Sequence, residues 1–302
     1  MTNSTEDFSG LSRYFTVQNN PEKILYNNFP VSDFMGLTPS EMFDLIYQPF
    51  KDGSDFEFIS AHDEVLDQIP FFLLVEHLLL MIYRDNSSKL TPRGCLSTKY
   101  CIELLEQKFI KDTFFEGKIR KRILEEYFPS IEVSRLILQL NKLVIKKNNS
   151  LKLSKSALLL LQEKRRFELF KKIFETYTHL FSWAYLDGYK NEMVGQLGFA
   201  FSLTLLKQYG NASHKVSFYF DLYKRAFPQL ASHFQDYPYF PAEKQFIACY
   251  KTRLFDRFFE WFGLAKQDNN SVDIMNPGNN MYTKTEIVDK LFKTPEISNN
   301  FI

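Results

Sequence analysis

The chain has 302 residues, 45% of them hydrophobic and 24% charged, which is the composition of a globular protein with a sizeable core. Only 11 residues are glycine, which disfavours nucleotide-binding folds with glycine-rich loops as well as β-barrels and sandwiches. Large aromatic side chains are abundant instead, with 32 Phe and 16 Tyr, so we expect an aromatic core.

The net charge of +1 hides a strong asymmetry along the chain. Residues 1–83 carry 3 basic and 13 acidic side chains, whereas residues 84–172 carry 21 basic and 10 acidic ones. The remaining residues carry 13 of each. Such a distribution indicates either a partner for the basic part or pairing between the basic and acidic parts.

Three features of the sequence indicate the cellular compartment of the protein: its N-terminus, its apolar runs and its cysteines. Residues 1–10 are polar and acidic, so no secretory signal is predicted. The longest apolar run, 69–83, contains Pro70, Glu76 and His77 and is too short and too polar to span a bilayer. Three cysteines without a CxxC pair fit a reducing environment. We therefore expect a cytoplasmic protein that has no membrane partner.

In chain order, a polar lead-in over 1–36 precedes an acidic helical region over 37–83. A helix begins at Thr38, with Pro39 at its first position and Glu41 closing a capping box. A short strand is predicted over 55–59 and a buried helix over 69–83. A one-sided helix is predicted over 96–109.

The stretch 118–162 organises the prediction. Helices are expected over 118–127 and 130–141, followed by strands on both sides of an Asn148-Asn149-Ser150 tip and by a helix over 157–161. Helix, helix, short hairpin and helix is the order typical of a winged-helix module. The basic domain 84–162 is therefore predicted to be winged-helix-like, with its first helix starting near residue 69.

The aromatic-rich region 163–302 is predicted to be a helical bundle. It has an apolar stripe from 167 to 185 with Gly188 as C-cap, a buried helix over 194–209, and helices over 213–226 and 243–262. A strand over 264–268, an Asn269-Asn270-Ser271 tip and a strand over 272–274 then repeat the order seen after residue 143. The predicted fold is mainly α, with winged-helix-like modules, short β-hairpins and a C-terminal helical bundle.

Three segments resemble an uncharacterised bacterial protein family: 90–96 (LTPRGCL), 181–189 (FSWAYLDGY) and 195–199 (GQLGF). In that family, similar segments appear in this order, sometimes fused behind a plasmid-type domain. The resemblance covers about residues 37–295 and consists of recurring segments, with no active-site signature. It implies a bacterial cytosolic setting and an expectation about the fold, and no known activity.

Catalytic and metal-binding patterns are absent from the sequence. No P-loop, GxSxG, HExxH or CxxC motif occurs, and the five histidines are isolated from one another. Cys95 and Cys101 do not have a common zinc spacing. Asp187, within an aromatic segment, is the best candidate for a catalytic carboxylate, but the alternative is that it caps a turn. We predict no catalytic residue, no cofactor and no metal, and therefore no enzyme.

The basic segment is the remaining candidate site, and its clustered cations suit phosphate contacts. The candidate residues for non-specific nucleic-acid binding are Lys118, Arg120, Lys121, Arg122, Lys146, Lys147, Lys152 and Lys155. The helix predicted over 130–141 is too apolar to read bases in a groove. The alternative is that the acidic N-terminal region covers these cations, within the chain or across a dimer.

Two classes of function stay open at this point. One is a regulatory or nucleic-acid-associated protein that contacts the phosphate backbone through a basic wing. The other is a protein-interaction or scaffolding module, partnered or self-associated, in which the winged-helix units serve only as structure.

Overall fold

The structure is a computed structural model, and it describes residues 27–111, 123–185, 187–189 and 191–298. Of the residues that the structure describes, 53% are in helices and 10% in strands, and the strands form small antiparallel sheets. The predicted class, mainly α, is confirmed. Within the described ranges, no helix is long and apolar enough to cross a membrane.

The α-helices of the described residues are, in chain order, α1 (Pro39–Tyr47), α2 (Asp63–Leu66), α3 (Pro70–Arg84), α4 (Thr98–Glu106), α5 (Pro129–Leu140), α6 (Lys155–Gln162), α7 (Arg166–Glu175), α8 (Phe199–Tyr209), α9 (Val216–Ala226), α10 (Ala242–Tyr250) and α11 (Glu286–Leu291). Helix α7 continues into a π-helical turn, Thr176–Leu180, and α10 into a π-helical stretch, Lys251–Phe259. The strands are β1 (Glu57–Phe58), β2 (Ser88–Lys89), β3 (Val144–Lys147), β4 (Ser150–Leu153), β5 (His214–Lys215), β6 (Ala265–Gln267), β7 (Met281–Lys284) and β8 (Phe292–Lys293).

The chain divides into two compact units. Unit 1 comprises Met1–Ile59, Asp187–Arg257 and Ala265–Ile302, and unit 2 comprises Ser60–Leu186 and Phe258–Leu264. The domain boundaries predicted from composition, after residues 36, 83 and 162, stay a prediction.

In unit 2, helix α3 forms the centre of the core. Pro70 occupies its first position, where the missing N–H has no intrahelical partner to lose. Phe71 stacks on Trp261 with ring centroids 5.4 Å apart, and Phe72 meets Phe170 edge-on at 5.8 Å. Because α3 packs against both α5 and β4, it positions a three-stranded antiparallel sheet with the order β2-β4-β3.

In unit 1, helix α8 is buried over residues 199–206, which are apolar or carry small hydroxyl groups. This agrees with the predicted buried helix. Helix α1 begins at the predicted capping box, in which the Glu41 N–H donates to Thr38 Oγ1 over 3.2 Å and the Thr38 N–H donates to Glu41 Oε2 over 2.7 Å. A second three-stranded antiparallel sheet has the order β5-β7-β6, and β1 pairs with β8.

The helix predicted over 118–127 is described only from residue 123 on, and there it is a single 3-10 turn, Glu125–Tyr127. Three further predicted boundaries are wrong. The helical stripe ends at Leu180 and does not reach Gly188, because the Phe181 N–H closes on the Thr176 carbonyl and the chain then turns. Helix α8 begins at Phe199, because Gly195 and Gly198 have positive φ values of 81° and 73° that no helix accommodates.

The second strand of the C-terminal hairpin is the third error. It is β7, over Met281–Lys284, whereas the segment 272–274 lies in the loop between β6 and β7. The alternation of apolar and polar residues in 272–274 exists, but its apolar side chains point into solvent: Val272 is 57% and Ile274 is 89% exposed.

The same order of elements occurs twice. We call α3 to α6 the first hairpin module and α8 to α11 the second hairpin module. Each has helix, short strand, helix, helix, hairpin and helix, and in each sheet the third strand lies in the middle. The two registers also correspond: Ser88 pairs with Leu151 as His214 pairs with Tyr282.

The junction between the third helix and the hairpin recurs as well. A residue with positive φ ends each helix, Lys142 at 58° and Gly263 at 66°, and a buried leucine follows, Leu143 or Leu264. Each leucine N–H donates back to a helix carbonyl, that of Leu138 or of Phe259. This is the Schellman pattern, which sets the direction in which each hairpin leaves its helix.

Candidate nucleic-acid interface

The first hairpin is short and tightly held. Asn148 and Asn149 form its two-residue turn with φ values of 49° and 53°, the pair of left-handed conformations that a type I′ turn requires. The Asn149 side-chain amide donates to the Leu90 carbonyl over 2.9 Å and to the Thr91 carbonyl over 3.2 Å. The tip is therefore tied to the chain that follows β2.

The two faces of this sheet differ in chemistry. Directly opposite residues in an antiparallel pair project to the same face. Val144 and Leu151 are buried and define the inner face. The register pairs Ile145 with Lys152, Lys147 with Ser150, and Ser150 with Lys89, so these five residues share the outer face.

We call this outer face the lysine face and define it by Lys89, Lys147 and Lys152 together with Ile145 and Ser150. All three lysines are exposed, and Ile145 is 55% exposed. Among the residues that the structure describes, no carboxylate lies within ion-pair distance of these three ammonium groups. The strand order places Ile145 on the edge strand, beside Lys147 and Lys152, so the face is a cationic surface with one exposed apolar side chain at its edge.

The predicted cations fall into four groups. Lys147 and Lys152 lie together on the lysine face. Lys146 is exposed but projects from the other side of β3, where its Nζ would lie 3.1 Å from a Cβ built at Gly94. Lys155 is exposed in the first turn of α6. The predicted residues Lys118, Arg120, Lys121 and Arg122 lie outside the described residues.

Lys89 was missed by the sequence prediction. It belongs to a two-residue strand, and a pattern of two residues has no periodicity to detect. Only the pairing of β2 with β4 brings Lys89 opposite Ser150 and onto the same face as Lys147.

Helix α5 is closed to a nucleic-acid groove, as its apolar sequence predicted. Ser134 is fully buried and Arg135 is 7% exposed. The Arg135 Nε donates to Glu125 Oε1 over 2.6 Å, and its Nη1 donates to Gln139 Oε1 over 2.7 Å. Glu132, on the same helix, accepts from the Tyr185 hydroxyl over 2.8 Å. The charged groups of α5 therefore have their hydrogen-bond partners within unit 2.

Pairing between the acidic and basic parts of the chain occurs at Arg166. Its guanidinium lies 2.7 Å from Glu76, 2.9 Å from Asp67 and 3.6 Å from Asp63. The hydrogen bond from Arg166 to Glu76 raises the pKa of the guanidinium, so it is charged at every relevant pH. The acidic region therefore neutralises this arginine, and the lysine face is untouched by these three carboxylates.

Asp187 is a buried structural carboxylate. Its side chain is fully buried against the buried Arg253, which donates to both carboxylate oxygens. The Tyr189 N–H also donates to Asp187 Oδ1 over 3.0 Å, which is the turn-capping contact that the alternative interpretation expected. Arg253 further donates to the carbonyls of Asn191 and Val194. With its oxygens occupied in this way, Asp187 has no face open to a substrate.

The cysteines are poor nucleophiles and the acidic residues make no metal cluster. Burial raises the pKa of Cys101 and of Cys249 to about 12, and it raises the pKa of Cys95 as well, so the thiols stay protonated near neutral pH. In the part of the chain that the structure describes, no three His, Cys, Asp or Glu side chains are grouped so that they hold a metal ion.

Comparison with known proteins adds no relative to this geometry: no family model, no curated protein and no solved structure matches the chain. The interpretation of the site therefore depends on its own geometry.

Proposed function

We propose that this chain is a non-enzymatic protein that holds duplex nucleic acid by its phosphate backbone, without reading its sequence. The observation that carries the proposal is the lysine face, on which three exposed lysines from three strands converge without a carboxylate neighbour among the described residues. Clustered lysines on a fixed surface are the chemistry that sequence-independent phosphate contact requires. The family resemblance implies a bacterial cytosolic setting for this function.

The proposal includes a winged-helix-like arrangement for the first hairpin module, with the β3–β4 hairpin as its wing. The order helix, strand, helix, helix, hairpin and the strand order β2-β4-β3 support it. The sheet carries the lysines, whereas the polar side chains of α5 are buried except for Gln139, which is partly exposed. Backbone contact through the wing is the mode that fits this division.

Duplex nucleic acid suits the lysine face better than a single strand does. Binding of unpaired bases depends on aromatic side chains that stack against them. The lysine face has none, since its fourth and fifth members are Ile145 and Ser150. Its lysines can therefore contact phosphates, but the face has no aromatic side chain on which unpaired bases could stack.

The test is the salt dependence of binding to a fluorescent 20-base-pair duplex of arbitrary sequence. If three lysines each neutralise one phosphate, the logarithm of the association constant should fall with the logarithm of salt concentration with a slope of about −3. The double variant Lys147→Glu with Lys152→Glu should weaken binding of every duplex and reduce the steepness of the slope by about 2.

A matched control makes the same change of charge elsewhere. Lys51→Glu with Lys293→Glu alters two exposed lysines of unit 1 that lie outside the lysine face. This variant should retain the wild-type slope. Wild-type protein that does not bind duplex at low salt contradicts the proposal, and so does an equal loss in the control variant.

A protein-interaction function is the second candidate, and the exposure of Ile145 favours it. A β-branched apolar side chain that is 55% exposed amid lysines resembles the centre of a small protein interface. The variant Ile145→Ser separates the two candidates. Duplex binding by phosphate contact should tolerate this change, whereas a protein interface centred on Ile145 should lose most of its affinity.

A further inference from the structure

The loop between β6 and β7 presents an exposed apolar surface on the second hairpin. Val272, Ile274 and Met275 are 57%, 89% and 71% exposed, and we call these three residues the apolar tip. Contiguous exposed apolar side chains of this size commonly mark an interaction site.

The apolar tip stands on a fixed base. The side chain of Asn280, only 1% exposed, donates to the carbonyls of Asp273 and Pro277 over 3.0 and 2.8 Å. Its Oδ1 accepts from the Asp273 N–H over 3.0 Å and from Gln267 Nε2 over 2.7 Å. The two protons and the two lone pairs of this buried amide are therefore all used to hold the loop.

Helix α10 supports the loop from below. A Cβ built at Gly278 would lie 2.6 Å from Ile247 Cδ1, so the backbone of the loop rests directly on that side chain. Because the loop is held before any partner arrives, docking of the apolar tip would cost little ordering entropy.

Two carboxylates, those of Asp268 and Asp273, flank the apolar tip along the chain, and residues 268–280 contain no lysine or arginine. A cation from β5 reaches the base of the loop, where Lys215 Nζ lies 3.5 Å from Asn279 Oδ1. Hydrogen bonds from the Asn279 side chain and the Asn276 N–H lower the pKa of Asp273, so its carboxylate keeps its charge under mildly acidic conditions. This charge disfavours an anionic occupant, whether nucleic acid or an anionic membrane.

The lysine face has the complementary chemistry. It presents an exposed apolar side chain, Ile145, beside Lys147 and Lys152, whereas the second hairpin presents apolar side chains flanked by carboxylates. We propose that the apolar tip of one copy of the chain docks on the lysine face of a second copy, with Asp268 and Asp273 facing its lysines. The docked tip excludes nucleic acid from that face, so self-association and nucleic-acid binding compete. The competition depends on the function proposed above, whereas the association does not.

This contact is heterologous, because two different surfaces meet, and each copy therefore keeps one free surface of each kind. Three side chains cannot bury the roughly 800 Å² per partner of a standard stable interface. The association is therefore weak, reversible, dependent on protein concentration and weakened by salt.

Sedimentation velocity over a range of protein concentrations at low salt tests the association. Wild-type protein should form dimers and larger species as its concentration rises. The tip variant, Ile274→Asp with Met275→Asp, and the face variant, Lys147→Glu with Lys152→Glu, should each be monomeric. The control, Lys51→Glu with Lys293→Glu, should associate as the wild type does.

A mixture of the two defective variants provides the decisive measurement. The tip variant retains an intact lysine face and the face variant retains an intact apolar tip, so the mixture should form dimers that grow no further. Wild-type protein that stays monomeric overturns the inference, and so does a mixture that stays monomeric. Binding of the wild type, but not of the tip variant, to vesicles of anionic lipid would also overturn it, by assigning the tip to a membrane surface.

The same variants separate this inference from the proposed function. In the duplex titration, the tip variant should bind at least as tightly as the wild type, because nothing competes for its lysine face. If duplex binding depends on Lys147 and Lys152 but the mixture does not associate, only the self-association is wrong. If the mixture associates but no chain binds duplex, only the nucleic-acid function is wrong.

Discussion

The two hairpins share a frame and differ in what they present. In both, the middle strand places a buried side chain, Leu151 or Tyr282, opposite the short first strand. The first hairpin then closes in two asparagines, whereas the second inserts residues 268–280 and exposes apolar side chains. The comparison teaches that the buried residues set the pairing of the strands, and that the tip and the outer face are left to carry different chemistry.

The third helices of the two modules likewise share a buried feature and differ in its contacts. Each buries an arginine with a carboxylate, Arg135 with Glu125 in the first module and Arg253 with Asp187 in the second. Arg253 additionally donates to backbone carbonyls, whereas Arg135 donates to the side chain of Gln139 and lies 3.8 Å from Glu132. The second pair therefore holds a longer piece of chain in place than the first.

The largest expected effect comes from a substitution that breaks the second pair, Arg253 with Asp187. Arg253→Met should lower the free energy of unfolding by about 3–5 kcal/mol, because a buried carboxylate loses its cationic partner and the carbonyls of Tyr189, Asn191 and Val194 lose a donor. Arg135→Met should cost less, since Arg135 donates to side chains, those of Glu125 and Gln139, and Gln139 can turn to water. Urea denaturation measures both.

The double variant Arg253→Met with Asp187→Asn is the control for this prediction. It removes the unpaired charge and should regain part of the loss, because a neutral amide costs less to bury than a carboxylate. An Arg253→Met protein whose stability lies within about 1 kcal/mol of the wild type contradicts a structural role for the pair.

The helix ends give a smaller effect of opposite sign in the two modules. Lys142 and Gly263 occupy the same left-handed position, which glycine adopts without strain and lysine does not. Lys142→Gly should therefore raise the free energy of unfolding by about 0.5–1 kcal/mol, and Gly263→Ala should lower it by about 1 kcal/mol. Changes of the same sign in urea denaturation would show that the two junctions are not equivalent.

The smallest effect concerns acid and the second hairpin. Hydrogen bonds from Asn279 and Asn276 lower the pKa of Asp273 in the folded chain, so the ionised carboxylate stabilises the fold above its ordinary pKa of about 4. That stabilisation is lost as the pH falls through the lowered pKa. The wild type should exceed Asp273→Asn in urea midpoint at pH 6, and the difference should shrink below about pH 4. A difference that is independent of pH would contradict this account.

The sequence predicted what local patterns determine. The capping box at Thr38, the buried helix α3, the hairpin β3–β4 and the burial of α5 all follow from spacing and composition, and all are present. The strands β2 and β5 have two residues each, too few to show an alternating pattern. Their pairing in the two sheets could therefore be seen only in the structure. The segment 272–274 alternates as a strand does, yet its apolar residues face solvent.

The candidate site was only partly predictable for a related reason. Lys147 and Lys152 follow from the hairpin itself, but Lys89 is far from them in sequence and joins them only by strand pairing. The partner of Asp187 could not be predicted from the sequence either. Arg253 lies 66 residues further along the chain, in a helical stripe where one charged residue gives no sign that it is buried.

The pairing of β3 with β4 limits how this protein can change in length. Inward and outward positions alternate along each strand, so one residue added between Leu143 and Val144 would turn Ile145 and Lys147 toward the core and bring Val144 into water. Only insertions of two residues keep both faces. Among descendants of this sequence, single-residue gaps should therefore be selected against in 143–147.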